Sequence, residues 1–282
     1  MKSFLNIIKA DCIKWLTSDK QFITAFSLIF FYMYVIEPMK EYSKILNEPL
    51  NITEPFIALI GNGFCILVVV ITFMVLMIDF PDISGNATFL LIRTGRIKWY
   101  NSQILFAIVS ACILLLIYFI FSVIFLIKDA FSANIWSNAI KLIGDVQNEE
   151  LRIQYPLAVI DLSVINNYSI LSALTIGVVL MILHMIFISQ LQMTLSICFN
   201  KIIGLSGNLM IIGLGLVFWV ADTKIKWLFP FANSTIGWHY DELYNKTEFP
   251  IAGSFIYMVT INVVIYIFGT KAIKNKALTL LS

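Results

Sequence analysis

Six apolar runs decide what this chain can fold into. They lie near residues 21–36, 56–78, 104–127, 170–189, 202–221 and 251–268. A bilayer-spanning α-helix needs about 20 predominantly apolar residues, with a range of about 17–25. Hydrocarbon offers no water to backbone N–H and C=O groups, so such runs satisfy them internally as helices. Composition agrees: 60% of the 282 residues are hydrophobic and 13% are charged, where a soluble domain carries about 25% charge. The fold class expected is all-α integral membrane, a single transmembrane domain over 1–282 with six spans.

The segments between the runs are polar. Residues 1–20 are too polar to cross a bilayer, yet Leu5, Ile8, Cys12 and Leu16 recur at helical spacing while Lys2, Lys9 and Lys14 take other directions. That pattern predicts an amphipathic helix in the interface. The first apolar run ends in Glu37-Pro38 without a small-residue cleavage site, so a signal peptide is not expected. The fourth run stays apolar past Gln190 and Gln192 to Phe199, which predicts either a bend or a short interfacial extension. Residues 221–250 mix charge with Trp227, Phe229, Phe231, Trp238, Tyr240 and Tyr244. Aromatic groups with polar handles favour the membrane–water boundary, so short re-entrant helices broken at Pro230 are expected there; a plain loop with an aromatic belt is the alternative.

Orientation follows from Lys and Arg beside the spans. With the N-terminus inside, the inner segments hold 11 of the 19 basic residues and the outer segments 8, although the inner loops are much shorter. Of the 17 acidic residues, 13 fall outside. A multi-pass cell-membrane protein with both termini cytoplasmic is the expectation.

Chemistry-bearing motifs are scarce. The sequence contains neither G-x-x-x-x-G-K-[ST] nor H-E-x-x-H, so nucleotide binding through a P-loop is not expected in this chain. The cysteines (Cys12, Cys65, Cys112, Cys198) match no zinc or redox spacing. Glu149-Glu150 sits in an outer segment with no nearby histidine. Catalytic, cofactor-binding and metal-binding residues are therefore not expected, nor is a nucleic-acid partner, and the chain does not read as an enzyme. His184 is the one ionisable side chain deep in a predicted span, and a neutral imidazole hydrogen-bonded to a neighbouring helix is the reading preferred over a functional one. The spans otherwise carry hydroxyls and amides, such as Ser27, Asn208 and Asn262, which bridge helices but make a poor ion-coupling chain. That argues against a proton- or sodium-driven carrier or a channel, so energy is expected from outside this polypeptide. Gly204, Gly207, Gly213 and Gly215 cluster on the fifth run, where small residues allow close packing within the chain or at a dimer seam.

The one inner segment with a distinctive pattern is residues 79–100, DFPDISGNATFLLIRTGRIKWY. Ser84 can cap a helix from Gly85 onward, placing Phe89, Ile92, Arg93, Arg96 and Tyr100 on a rough common face. Arg93, Arg96 and Lys98 serve as positive-inside anchors on any reading, but the Phe89-Leu90-Leu91-Ile92 run before them points to a docking surface. Leu91-Ile92-Arg93-Thr94-Gly95-Arg96-Ile97-Lys98-Trp99 followed by Gln103, with the six-span plan, resembles permease subunits of the ABC-2 type exporter family of low-GC Gram-positive bacteria. The resemblance implies an ABC ATPase partner that binds ATP-Mg and docks on a cytoplasmic coupling helix between spans two and three. It assigns ATPase coupling to Phe89, Arg93, Arg96 and Trp99. It also implies a second permease subunit, identical or related, and export of a peptide or other amphipathic substrate. A membrane scaffold or immunity protein that binds a peptide target without transport is the competing expectation.

Overall fold

The computed structural model describes residues 2–81, 93–128, 130–145, 147–241 and 246–275. Among them five helices are long and apolar enough to cross a membrane, or six if one bent pair is a single span. The chain is an all-α membrane protein. Helix α1, Lys2–Leu16, precedes a long helix α2, Asp19–Leu46. Within α2 the turn widens to π geometry at Tyr32–Ile36. Pro38 follows; it has no N–H to give the carbonyl one turn back, and a widened turn accommodates that loss.

The second apolar run is not one straight helix. Helix α3, Glu54–Gly61, and helix α4, Gly63–Leu76, meet at 81°. Asn62 makes the corner: its backbone is extended and its side chain accepts from the N–H groups of Phe64 and Cys65 at 3.0 and 3.4 Å, capping α4. Gly63 must be glycine, because the Trp238 ring occupies the place of its Cβ.

Helix α5, Arg96–Leu126, starts after Gly95, whose φ of 83° suits glycine. Three short helices follow beyond it: α6 (Asn138–Gly144), α7 (Glu149–Gln154) and α8 (Leu162–Asn167). Helix α9, Ile170–Cys198, is the central pillar and packs against α3, α4, α5 and three later helices. It continues through Gln190 and Gln192 as one helix of 29 residues, without a separate interfacial helix before Asn200. Both glutamines are buried against neighbours, so their polarity does not interrupt it. Helix α10 (Lys201–Val220), the short α11 (Pro230–Ser234) and α12 (Ile251–Asn275) complete the bundle.

Ion pairs and amides fix which ends lie together. Asp11 accepts from Gln103 at 2.9 Å, Lys20 pairs with Asp79, and Arg96 donates to the Ile273 and Lys274 carbonyls. The second half of α1, the start of α2, the residues after α4, the start of α5 and the last described turn of α12 therefore share one end of the bundle, the terminal end. At the far end a two-residue strand β1 (Leu50–Asn51) pairs in parallel with β2 (Ala130–Phe131), Leu50 opposite Ala130. Hydroxyls and amides bridge the helices between these ends. Tyr118 donates to Ser27 at 2.6 Å, Asn208 to the Ile188 carbonyl and Gln192 at 3.0 Å each, and Asn262 to the Leu183 carbonyl at 3.2 Å. Of the fifth-run glycines, Gly204, Gly207 and Gly215 meet atoms of this same chain, whereas Gly213 has open space beside it. Outward faces such as Met210, Val217 and Val220 of α10 and Ile256, Val263 and Phe268 of α12 are bare hydrocarbon.

Candidate functional site

At the terminal end, the four residues assigned to coupling fall in different environments. Phe89, with the helix expected from Gly85, lies outside the described residues. Arg93 is exposed, as are Ile97 and Lys98. Arg96 is half-buried, and its guanidinium donates to the Ile273 carbonyl at 3.2 Å and to that of Lys274. Arg96 thereby ties the last described turn of α12 to the start of α5. Trp99 is 2% exposed and sits in the core. The outward surface in this structure is Arg93, Ile97 and Lys98, with Arg96 and Trp99 holding the turn that presents them. The sequence face at helical spacing combined Arg93 and Arg96. The positive φ of Gly95 lies between them and separates their directions.

At the far end the residues after α10 form a strap. A 3₁₀ turn (Lys224–Leu228), α11 and a second 3₁₀ turn (Ile236–His239) replace a continuous loop. Pro230 is the first residue of α11, where its missing N–H costs nothing. Asn233 donates to the Trp227 and Phe229 carbonyls at 2.8 and 2.9 Å. Its Oδ1 accepts from Ser254 of α12 at 2.8 Å, and Ser254 also lies 2.8 Å from His239 Nε2. His239 Nδ1 donates to the Thr235 carbonyl at 3.0 Å. Burial drives the His239 pKa down to about 4, so the ring is neutral near pH 7. His184 of α9 meets the strap through Ser234 Oγ at 2.9 Å, a hydrogen-bonding role that required no second histidine.

Beneath this strap a cavity of about 700 Å³ opens at the corner between α3 and α4. Phe30 and Tyr34 of α2, Phe64 of α4 and Trp219 of α10 are among its lining residues. Trp219 stacks on Trp238 with centroids 4.3 Å apart and planes 12° apart. Arg152 and Asp161 stand on the rim, Nη2 and Oδ1 3.7 Å apart. The volume falls in the range of about 300–1,000 Å³ typical of small-molecule sites, and an apolar wall with few polar groups is their usual makeup. Sequence reading missed this cavity, although Gly61-Asn62-Gly63 inside an apolar run is a stop-and-recap signature that could have located the corner. The chain matches no family model, no curated protein and no solved structure.

Proposed function

We propose that this chain is the membrane-spanning permease subunit of an ATP-binding-cassette exporter. In this reading α1 lies in the interface and the bent pair α3–α4 counts as one crossing, giving six. Both termini are cytoplasmic, a separate ATPase subunit binds and hydrolyses ATP-Mg, and a second permease chain completes the transporter. The cargo is a peptide or other amphipathic molecule that leaves by the far end.

The observation that carries the reading is the patch of Arg93, Ile97 and Lys98 at the terminal end. It stands at the root of α5, a single helix of 31 residues and so about 46 Å long at 1.5 Å per residue. Arg96 couples that root to α12. A partner that pushes on the patch as it closes on ATP would move two long helices together, and both reach the far end. The scarcity of charge within the spans supports an external energy source. Affinity purification of the full chain from its native membrane in mild detergent tests the reading. A stoichiometric P-loop ATPase is the expected companion. Recovery of the chain alone, or with a partner lacking a P-loop, would favour the scaffold or immunity role.

A further inference from the structure

We propose that the far-end cavity holds an acyl chain of a zwitterionic lipid that enters sideways from the adjoining leaflet. The inference goes beyond the exporter reading and does not require it; it asks only that the long helices cross a bilayer.

Part of the cavity lining is exposed and aromatic: Tyr34 and Phe64 both line it and are 52% and 51% exposed. The surface leading to it from α2 (Phe26, Ile29, Met33) and from α10 (Val217, Val220) is exposed and apolar. Among the described residues this approach is apolar, so a lipid chain already in the leaflet only has to move laterally. Leu67 and Val68, one turn and more into α4 from the corner, line the cavity as well, so it extends along the first turns of α4 and suits an extended chain.

The rim supplies the head-group chemistry. Arg152 and Asp161 place opposite charges 3.7 Å apart, and Gly237 lets the Asp161 carboxylate approach where a Cβ would stand. A head carrying phosphate and ammonium matches both signs, phosphate toward Arg152 and ammonium toward Asp161. A head with phosphate alone matches one.

The test uses the full chain in vesicles with a trace of phosphatidylethanolamine carrying a diazirine near the end of one acyl chain. Adducts after photolysis are mapped by mass spectrometry. Adducts should concentrate on Val68, saturate, and be competed by unlabelled phosphatidylethanolamine about tenfold better than by phosphatidylglycerol. Leu67→Trp, which narrows the cavity beside Val68, should cut them severalfold and leave adducts on Phe268, on the outer face of α12, as an internal control of folding and insertion. Arg152→Gln with Asp161→Asn should keep the adducts and erase the head-group preference. Three results would overturn the proposal: cavity labelling that never exceeds Phe268 labelling (annular lipid only), cavity labelling indifferent to Leu67→Trp, or displacement by an unlipidated amphipathic peptide and not by phosphatidylethanolamine.

Discussion

The two ends of this bundle are built differently. At the far end, loops are fastened by side chains that are themselves buried and bonded on several sides. At the terminal end, among the described residues, the fastening involves half-buried or exposed groups, and cations stand exposed beside it. Glu54 shows the first style. Its carboxylate is 0% exposed and accepts from the N–H of Asn51 at 2.8 Å and from the N–H and hydroxyl of Ser137 at 2.7 and 2.8 Å. One side chain thereby joins the start of α3 to β1 and to the cap of α6. Arg96 shows the second style, a half-buried cation on two carbonyls of the last described turn of α12, with Arg93 and Lys98 exposed around it. Dense fastening holds a shape, such as a cavity. Half-buried fastening beside exposed charge leaves a surface that a partner can engage.

The largest expected break in this contrast is Glu54→Ala. It strands three donors in a buried site, each worth about 1–3 kcal/mol, so a loss of about 3 kcal/mol or more is expected. Thermal unfolding in detergent micelles would read it, and an unchanged melting temperature would refute the far-end assignment. Next comes pH. The folded pKa of His239, about 4, lies below the usual histidine value near 6.5. Below pH 6.5 the unfolded chain binds more protons, so stability falls as pH drops toward 4, by up to about 3 kcal/mol. His239→Gln should flatten that part of the stability–pH curve, and the difference between the two curves isolates this residue. Asn62→Ala, which removes the cap at the corner, should cost about 1 kcal/mol and also loosen the cavity, seen as changed Trp219–Trp238 fluorescence. The smallest effect belongs to the terminal end. Arg93→Glu with Lys98→Glu should alter stability by less than about 0.5 kcal/mol, as exposed substitutions do.

Much of the helical layout was legible from hydropathy, because a long apolar run has few folds open to it in a membrane. The fifth run, near 202–221, became Lys201–Val220, and the sixth, near 251–268, became Ile251–Asn275. The sixth extends past its apolar limit, and Arg96 bonds two of the carbonyls there. The first run also extends past its limit, to Leu46. Its polar continuation is amphipathic, with Met39, Tyr42 and Ser43 turned inward. What hydropathy could not give was direction within a run. The 81° corner at Asn62 depends on a cap and on two glycines facing Ile236 and Trp238, more than 170 residues away in sequence. The strap was legible as short helices broken at Pro230, but its hydrogen bonds to His184 and Ser254 are tertiary and leave no local pattern. Trp99 illustrates the same limit from the other side. An aromatic beside basic residues fits an interface position on sequence grounds, yet it packs in the core here.

The most direct test of the account compares the two ends in one pull-down. The wild-type chain, Arg93→Glu with Lys98→Glu, and Glu54→Gln would be purified in parallel from native membranes, and the P-loop ATPase recovered per chain would be quantified. The account predicts that the terminal-end variant loses the ATPase by about tenfold or more while remaining folded, and that the far-end variant retains it. Equal ATPase recovery with the terminal-end variant, or equal loss with both, would contradict the assignment of the two ends.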